Sequence, residues 1–384
     1  MQERKERDIA PACTTKNTTS SSPVFIGVPG SGHGMSGRQA MSRRSSWESR
    51  KHHYWSDCTG NSLRASRRIG HPAPPAADAQ ALLESWVLEQ LGLSPDLSAH
   101  PFGVASLTCS AASLTLHLDP YLGRERHSFP EHCLHRLLPA APAPGSGDEL
   151  GGIPGLRVGG TEAGGRKLRL HMVDGLGPAQ LTLALPPGLP ETWPAVERRH
   201  RSWVKGHGMR PLWATPWLDY EESDYLDACL ARARSARATM GSALLRRLAL
   251  FHTSAAFYRV RCWDEGDTWK IDACTANPST QGHDQLLQRL CHPRWGLPVN
   301  LAHAFCHCAG HESPYAWGHT CAFYLDGLEP SGAEAIYLRV HASPEGRDHD
   351  RQIETLRRAG APKEWMDRAF PTDALQDHRG TQRR

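Results

Sequence analysis

The sequence predicts an α+β fold in which antiparallel strand pairs alternate with helices. Four segments show the period-2 alternation that is typical of strands, and three of them contain a Gly-bearing dipeptide at which a hairpin can turn. A segment of helical character follows each pair. Most of these strands have one apolar face and one polar or basic face, so helices can cover the apolar faces. The predicted result is an antiparallel β-barrel of repeated α-β-β-α units with the helices outside.

The elements follow one another in a regular order. The folded body begins with a helix over Ala81–Gly92, which ends at a glycine. The predicted hairpins are Val104–Pro120, Arg166–Pro187, Ala255–Pro278 and Thr320–Pro344. The last three are expected to turn at Asp174-Gly175, Glu265-Gly266 and Asp326-Gly327. The helical segments that follow the four hairpins are FPEHCLHRLL, ETWPAVERRHRSW, HDQLLQRLCHP and RQIETLRRAG.

Composition divides the 384 residues into three parts. Residues 1–76 hold 12 Lys and Arg against 5 Asp and Glu and are rich in Ser and Gly. They show no sustained helical or strand period, and we expect this basic N-terminal segment to be disordered because it buries too little apolar surface. Residues 77–345 form the predicted barrel. Residues 346–384 form a C-terminal helix and tail.

Several classes of protein are excluded by the same composition. No apolar run approaches the roughly 20 residues of a membrane-spanning helix, and the N-terminus lacks the apolar core of a signal peptide. We therefore expect no membrane partner and a cytoplasmic location by default. The eleven cysteines are odd in number and widely spread, which does not indicate a disulfide framework. Residues 77–384 carry fewer basic than acidic side chains, so no nucleic-acid partner is expected.

The polar faces of the predicted strands gather cations and aromatic rings. In the second hairpin, Lys167 and Arg169 alternate with leucines. In the third, one face carries Arg259, Arg261 and Trp263, with Lys270 and Asp272 on the return strand. In the fourth, Tyr337, Arg339 and His341 oppose Ile336, Leu338 and Val340. An open sheet with a solvated polar face and a closed barrel with a polar lumen are both compatible with this pattern, and the aromatic rings favour the barrel.

This arrangement resembles the ABBA-fold aromatic prenyltransferases, which are barrels of repeated α-β-β-α units with external helices. The resemblance covers residues 100–345 and rests on architecture and on a rhythm of basic residues. The matching tripeptides are Lys167-Leu-Arg169, Arg259-Val-Arg261, Lys270-Ile-Asp272 and Tyr337-Leu-Arg339. Two features depart from the family. The chain shows four hairpins where the family has five, and Ser106–Asp119 lacks the Glu that accepts an indole N–H in many members.

The resemblance implies transfer of a dimethylallyl-type group from its diphosphate to an aromatic small molecule or peptide. The implied diphosphate ligands are Lys167, Arg169, Arg259, Arg261, Lys270 and Arg339. The implied aromatic shield of the allyl cation consists of Trp263, Tyr324 and Tyr337. The general base would be Asp272 or His341, although Asp272 is equally suited to pair with Arg261. No cofactor is required in this scheme, although Mg²⁺ is compatible with a diphosphate substrate.

A second group of residues suggests a different chemistry. His303, Cys306, His307, Cys308, His311, His319 and Cys321 lie within 19 residues, and imidazole and thiolate are good zinc ligands. His303 and His307 are four residues apart, but Cys306-His307-Cys308 lacks the two-residue gap of a C-x₂-C pair, and no distant C-x₂-C completes a ligand set. We therefore expect no metal site. A metal-dependent enzyme built on His303–Cys321 and a non-catalytic ligand-binding α+β protein remain the alternatives.

Overall fold

Two five-stranded sheets and one two-stranded ribbon hold the described strands. The structure is a computed structural model that describes residues 37–69, 77–93, 100–120, 129–142, 149–233, 235–254, 257–266, 268–275, 281–306, 319–328, 335–342, 353–358 and 360–370. The chain divides into two units, residues 1–46 and 47–384, and all of these strands belong to the second.

The first sheet has the strand order β1-β2-β6-β5-β4. Its strands are β1 (Val104–Cys109), β2 (Ser113–Leu118), β4 (Leu156–Glu162), β5 (Lys167–Met172) and β6 (Gln180–Ala184). Neighbours pair antiparallel except β2 and β6, which are parallel. The ribbon joins β3 (Ala140–Ala141) to β7 (Arg210–Pro211).

The second sheet repeats this order as β10-β11-β12-β9-β8. Its strands are β8 (Arg259–Glu265), β9 (Thr268–Thr275), β10 (Val299–Phe305), β11 (His319–Gly327) and β12 (Ala335–Ala342). Here β9 and β12 are the parallel pair. In both sheets a hairpin is followed by a helix and then by three successive strands, the last of which returns to the hairpin.

The helices lie before, between and after these strands. They are α1 (Gly37–Thr59), α2 (Leu63–Ile69), α3 (Asp78–Gly92), α4 (Phe129–Leu137), α5 (Trp193–Gly206), α6 (Tyr220–Arg232), α7 (Ser235–Leu245), α8 (Leu250–Thr253), α9 (Gln281–Leu290), α10 (353–358) and α11 (Lys363–Ala369). Among the described residues, no helix combines the length and the apolar composition that a membrane span requires.

The four predicted hairpins are confirmed as β1–β2, β5–β6, β8–β9 and β11–β12. The expectation that all neighbours pair antiparallel was wrong for two pairs. Each sheet has a helix in its crossover, α4 in the first and α9 in the second, and such a crossover allows the returning strand to pair in parallel. The repeated unit therefore has five strands rather than two. No pairing between the two five-stranded sheets occurs among the described residues.

Strands β4 and β10 were not predicted, and each breaks the alternation for a physical reason. The buried part of β4 contains Arg157, whose guanidinium forms a buried, bidentate ion pair with Glu222 of α6 at 2.6 and 2.8 Å. β10 is an edge strand that is exposed beyond Val299. Asp326-Gly327, predicted as a turn, instead pairs with the first residues of β10.

The N-terminal boundary also differs from the prediction. Tyr54, Trp55 and Cys58 of α1 are buried in the main hydrophobic core. The Tyr54 hydroxyl donates to the carbonyl of Arg289, 3.0 Å away, so α1 is tied to the end of α9. The folded body therefore begins well before Ala77. The signal is weak in the sequence because only a few apolar residues, one helical turn apart, stand among Arg, Lys, His and Ser.

We predict that Trp55→Ala lowers the free energy of unfolding by about 3–5 kcal/mol, because Trp55 is 7% exposed and its loss leaves a cavity. Trp217→Ala is the matched control, since Trp217 is 67% exposed, and it should change stability by less than about 0.5 kcal/mol. Urea unfolding measures both. Equal, small effects of the two substitutions would mean that α1 is not part of the folded body.

Candidate functional site

One face of the second sheet collects most of the predicted site residues. We call this the polar face; its predicted members are Arg259, Arg261, Trp263, Lys270, Asp272, Tyr324, Tyr337, Arg339 and His341. Each is partly exposed. The residues between them are buried in the core, as shown by Val260, Ile271 and Leu338. Strand alternation thus separates the two faces as the sequence predicts.

Strand register arranges the polar face in three rows across the sheet. The first row is Tyr324, Tyr337, Lys270 and Trp263. The second is Ala322, Arg339, Asp272 and Arg261. The third is Thr320, His341, Cys274 and Arg259. Because residues opposite each other on adjacent strands have Cβ atoms about 4.5–5.5 Å apart, the register alone brings these side chains within contact distance.

An ion pair occupies the centre of this face. Nε and Nη2 of Arg339 donate to the two carboxylate oxygens of Asp272, at 2.5 and 2.7 Å. Burial alone would raise the pKa of Asp272, but its interactions with His341 and Arg339 outweigh burial and hold that pKa below its usual value. A carboxylate held in this way is a weak base. Asp272 is therefore better suited to orient Arg339 than to remove a proton.

Arg261 differs from the prediction that it pairs with Asp272. It lies directly opposite Asp272, yet both carboxylate oxygens are directed to Arg339. The Nε atom of Arg261 is buried and has no hydrogen-bond partner among the described residues. A buried donor without a partner is costly, and an anion placed beside Arg261 would satisfy it.

Aromatic rings lie against the cations of the first and second rows. The Nζ atom of Lys270 is 4.5 Å from the centre of the Tyr337 ring, and the Arg339 guanidinium is 5.9 Å from the Tyr337 and Trp263 rings. The rings of Tyr324 and Tyr337 are 4.5 Å apart. These contacts fall within the range of cation–π attraction. The same ring faces can attract a positively charged ligand.

His341 and its neighbours form a short polar chain in the third row. The Nδ1 atom of His341 is 3.0 Å from the Thr320 hydroxyl, and its Nε2 atom is 3.7 Å from Oδ1 of Asp272. If Nδ1 carries the hydrogen and donates to Thr320, the Nε2 lone pair is available to accept a proton. The neighbouring carboxylate then stabilises the resulting imidazolium.

The C-terminal helices close one end of the polar face, which the sequence did not predict. Cys274 of the third row packs against a small hydrophobic cluster. Its members are Tyr258, Ile353, Leu356, Trp365, Met366, Ala369 and Phe370, most of them from α10 and α11. The prediction of a C-terminal helix did not indicate where that helix would pack, because its apolar residues are few.

Lys167 and Arg169 lie apart from the other predicted ligands. Both are on β5 of the first sheet, so they do not share a sheet face with the remaining residues. Arg169 is about half exposed and pairs with Glu162 of the neighbouring strand at 3.1 Å. We expected all the cationic tripeptides to occupy equivalent positions because we took the two-stranded hairpin as the repeating unit. The repeating unit is instead a five-stranded sheet, so the tripeptides lie in two different sheets.

The predicted His/Cys group is only partly assembled. Cys306 and Cys321 have their Sγ atoms 3.7 Å apart, at the end of β10 and on β11. His303 is exposed on β10, His319 begins β11, and His307, Cys308 and His311 lie outside the described residues. The third member is His283 of α9, whose Nε2 atom is 3.6 Å from Cys306 Sγ. Sequence reasoning missed it because 23 residues separate it from Cys306.

A separate cavity of about 540 Å³ lies between α3, α6, α7 and the β8–β9 turn. Its lining includes Glu89, Tyr225 and Arg232, and burial raises the pKa of Glu89 against the opposing effect of Arg237 and Arg232. None of the predicted site residues lines it. Its composition differs from that of the polar face.

Comparison with known proteins found no family model, no curated protein and no solved structure that matches the chain. The function must therefore be inferred from the site itself.

We predict that Asp272→Asn destabilises the protein near neutral pH and that this difference disappears in acid. The folded pKa of Asp272 is lowered, so its stabilising contribution is present above the unfolded pKa of about 3.9 and is lost as the pH falls through the folded value. Chemical denaturation of both proteins from neutral pH into acid measures it. Asp326→Asn removes an exposed carboxylate from the same sheet and controls for net charge. A difference that persists unchanged in acid would contradict the Arg339–Asp272 pair.

Proposed function

We propose that the polar face binds the diphosphate of a prenyl diphosphate and that the chain is an aromatic prenyltransferase. One observation carries the proposal: four cationic side chains and three aromatic rings lie on one sheet face, with Asp272 as the carboxylate at its centre. The proposed donor substrate carries a dimethylallyl-type group, and the acceptor is an aromatic small molecule or peptide.

The cations have distinct tasks in this proposal. Arg261 supplies a guanidinium whose Nε donor awaits a partner, and Arg339 is held in a fixed orientation by Asp272. Among the described residues, Lys270 forms an ion pair with Glu265 at 3.3 Å, and that carboxylate is mostly exposed, so an anion can displace it at little cost. Arginine forks bind phosphate oxygens bidentately, and together these groups neutralise a diphosphate without requiring Mg²⁺.

The reaction then follows from the neighbouring groups. The C–O bond to the diphosphate breaks, and its electron pair leaves with the diphosphate, whose charge the cations stabilise. The ring faces of Tyr337 and Trp263 stabilise the allylic cation by cation–π attraction. The same faces already contact the cations of Lys270 and Arg339. The arene attacks this cation to form the new C–C bond and loses its proton to Nε2 of His341. Asp272 stabilises the imidazolium without itself becoming protonated.

The chemistry also requires that water be kept from the allylic cation. α10 and α11 cover one end of the polar face, at Cys274. For the rest of the polar face, we propose that the enclosure is the closed barrel with external helices that the resemblance implies.

We predict that inorganic pyrophosphate stabilises the wild-type protein against thermal unfolding. A ligand at 100 times its dissociation constant adds about 2.7 kcal/mol. Arg261→Ala should remove most of this gain, because it removes the donor that faces the anion. Arg169→Ala, an arginine on the first sheet, should retain it. No stabilisation of the wild type, or equal stabilisation of Arg261→Ala, would contradict the site.

His341→Ala separates binding from catalysis. It should keep the pyrophosphate response but lose most prenyl transfer from dimethylallyl diphosphate to a panel of aromatic acceptors, typically by 10²–10⁴-fold for a general base. Transfer is followed by mass spectrometry of the products. Pyrophosphate binding with no transfer to any acceptor by the wild type would favour the non-catalytic, ligand-binding alternative.

A further inference from the structure

A second constellation lies on the opposite side of the same sheet. Cys321 of β11 belongs to the buried face, next to Phe323, and α9 covers it. His283, in the first turn of α9, is buried with its ring centre 5.0 Å from that of Phe323. Cys306 follows the last residue of β10 and is exposed. The three side chains thus meet where the core reaches the surface.

Two of the three distances between these ligand atoms match those of a tetrahedral zinc site. All three lie within 4.8 Å of one another. The two sulfurs are 3.7 Å apart, and Cys306 Sγ is 3.6 Å from His283 Nε2. Zinc bonds of about 2.3 Å to sulfur and 2.1 Å to nitrogen, at tetrahedral angles, place two sulfurs about 3.8 Å apart and a sulfur and a nitrogen about 3.6 Å apart. The observed separations agree with both values.

The surroundings of His283 also suit a metal ligand. Its Nδ1 atom lies 2.8 Å from Oδ1 of Asp284. This contact is not an aligned hydrogen bond in the structure, but a carboxylate so close to Nδ1 favours the tautomer that carries its hydrogen there. That tautomer leaves the Nε2 lone pair, 3.6 Å from Cys306 Sγ, available to a metal ion. Because Cys306 is exposed, an ion has a path to the site.

We propose that His283, Cys306 and Cys321 bind one Zn²⁺ ion. Binding replaces the two thiol protons, which are released to solvent, by two Zn–S bonds, and the His283 Nε2 lone pair forms the third bond. The part of the chain that the structure describes supplies three ligands. The fourth tetrahedral position is left for a further ligand, such as the water or substrate atom of catalytic zinc sites. The ion would also join α9 to the end of β10 and to β11. This site is independent of the polar face, because Cys321 points to the side opposite from Thr320 and His341.

The same sulfurs suggest one competing state. At 3.7 Å they are well beyond the roughly 2.05 Å of a disulfide bond, although a modest movement would bring them together under oxidation. The experiment must therefore distinguish a metal from a Cys306–Cys321 disulfide.

The test uses the full chain, purified with a reductant and without chelators, then given one equivalent of ZnSO₄ and desalted. Elemental analysis should find one zinc per chain in the wild type. Cys306→Ser and His283→Ala should lose it, whereas Cys291→Ser, a partly buried cysteine just beyond α9, should keep it. Asp284→Asn should weaken zinc affinity about 10–100-fold, as loss of an outer carboxylate partner does.

Co²⁺ provides a second measurement that does not depend on the stability of a core variant. Wild-type protein loaded with Co²⁺ should show a thiolate-to-cobalt charge-transfer band and the intense visible bands of tetrahedral cobalt. Cys306→Ser should weaken the charge-transfer band, and its exposed position makes this variant safe for folding. The proposal is overturned if the wild type binds no zinc, if Cys306→Ser and His283→Ala both retain it, or if peptide mapping finds a Cys306–Cys321 disulfide in reduced preparations.

Discussion

A buried ion pair between Glu84 of α3 and Arg246, the residue that follows α7, joins the two halves of the fold. Glu84 of α3 accepts hydrogen bonds from Nε and Nη2 of Arg246, both at 2.8 Å, and from the Ser242 hydroxyl at 2.6 Å. Gln80 donates to the same carboxylate and also bonds the backbone of Gln180 in β6. Arg246 bonds the carbonyl of Ser110 in the β1–β2 turn. Removing one partner from such a pair typically costs about 3–5 kcal/mol, because the other charge remains buried.

This interface sets the position of the second sheet. α3 precedes the first sheet in the chain and α7 precedes the second, so the helix pair fixes one repeat against the other. Close approach depends on glycine: a Cβ atom on Gly241 would lie 2.5 Å from the Trp269 side chain, and one on Gly92 would lie 2.2 Å from the carbonyl oxygen of Cys262. β8 and β9 are therefore held from their core side. Their other side carries Arg261 and Lys270, which are partly exposed.

The sequence predicted the faces of strands better than their connections. Alternation is local, so Arg339 and Asp272 could be assigned to a polar face without knowing which strands pair. Parallel pairing of β9 with β12 depends on a crossover through α9 and left no local pattern. β4 was missed because it contains a buried arginine, Arg157. The ion-pair partner that compensates this burial, Glu222, lies 65 residues away in the chain. His283 was missed for the same reason: its partners are distant in the chain, and nothing near it marks it as a ligand.

The two proposed sites lie on opposite faces of one sheet. On the polar face, charges remain partly hydrated and are organised by an internal carboxylate, Asp272, which suits exchange of an anionic substrate. On the core face, His283 and Cys321 are buried, so a bound ion would be held among apolar side chains. An active site on the first face and a metal on the second are thus compatible within a single sheet.

The most direct test of the polar face is a crystal structure of the protein with a non-hydrolysable prenyl thiolodiphosphate. We predict that both phosphate groups lie on the polar face, within hydrogen-bond distance of Arg261 and Arg339, with the prenyl chain against Tyr337 or Trp263. A diphosphate bound instead in the cavity between α3, α6 and α7, or one that leaves Arg261 without a contact, would contradict it.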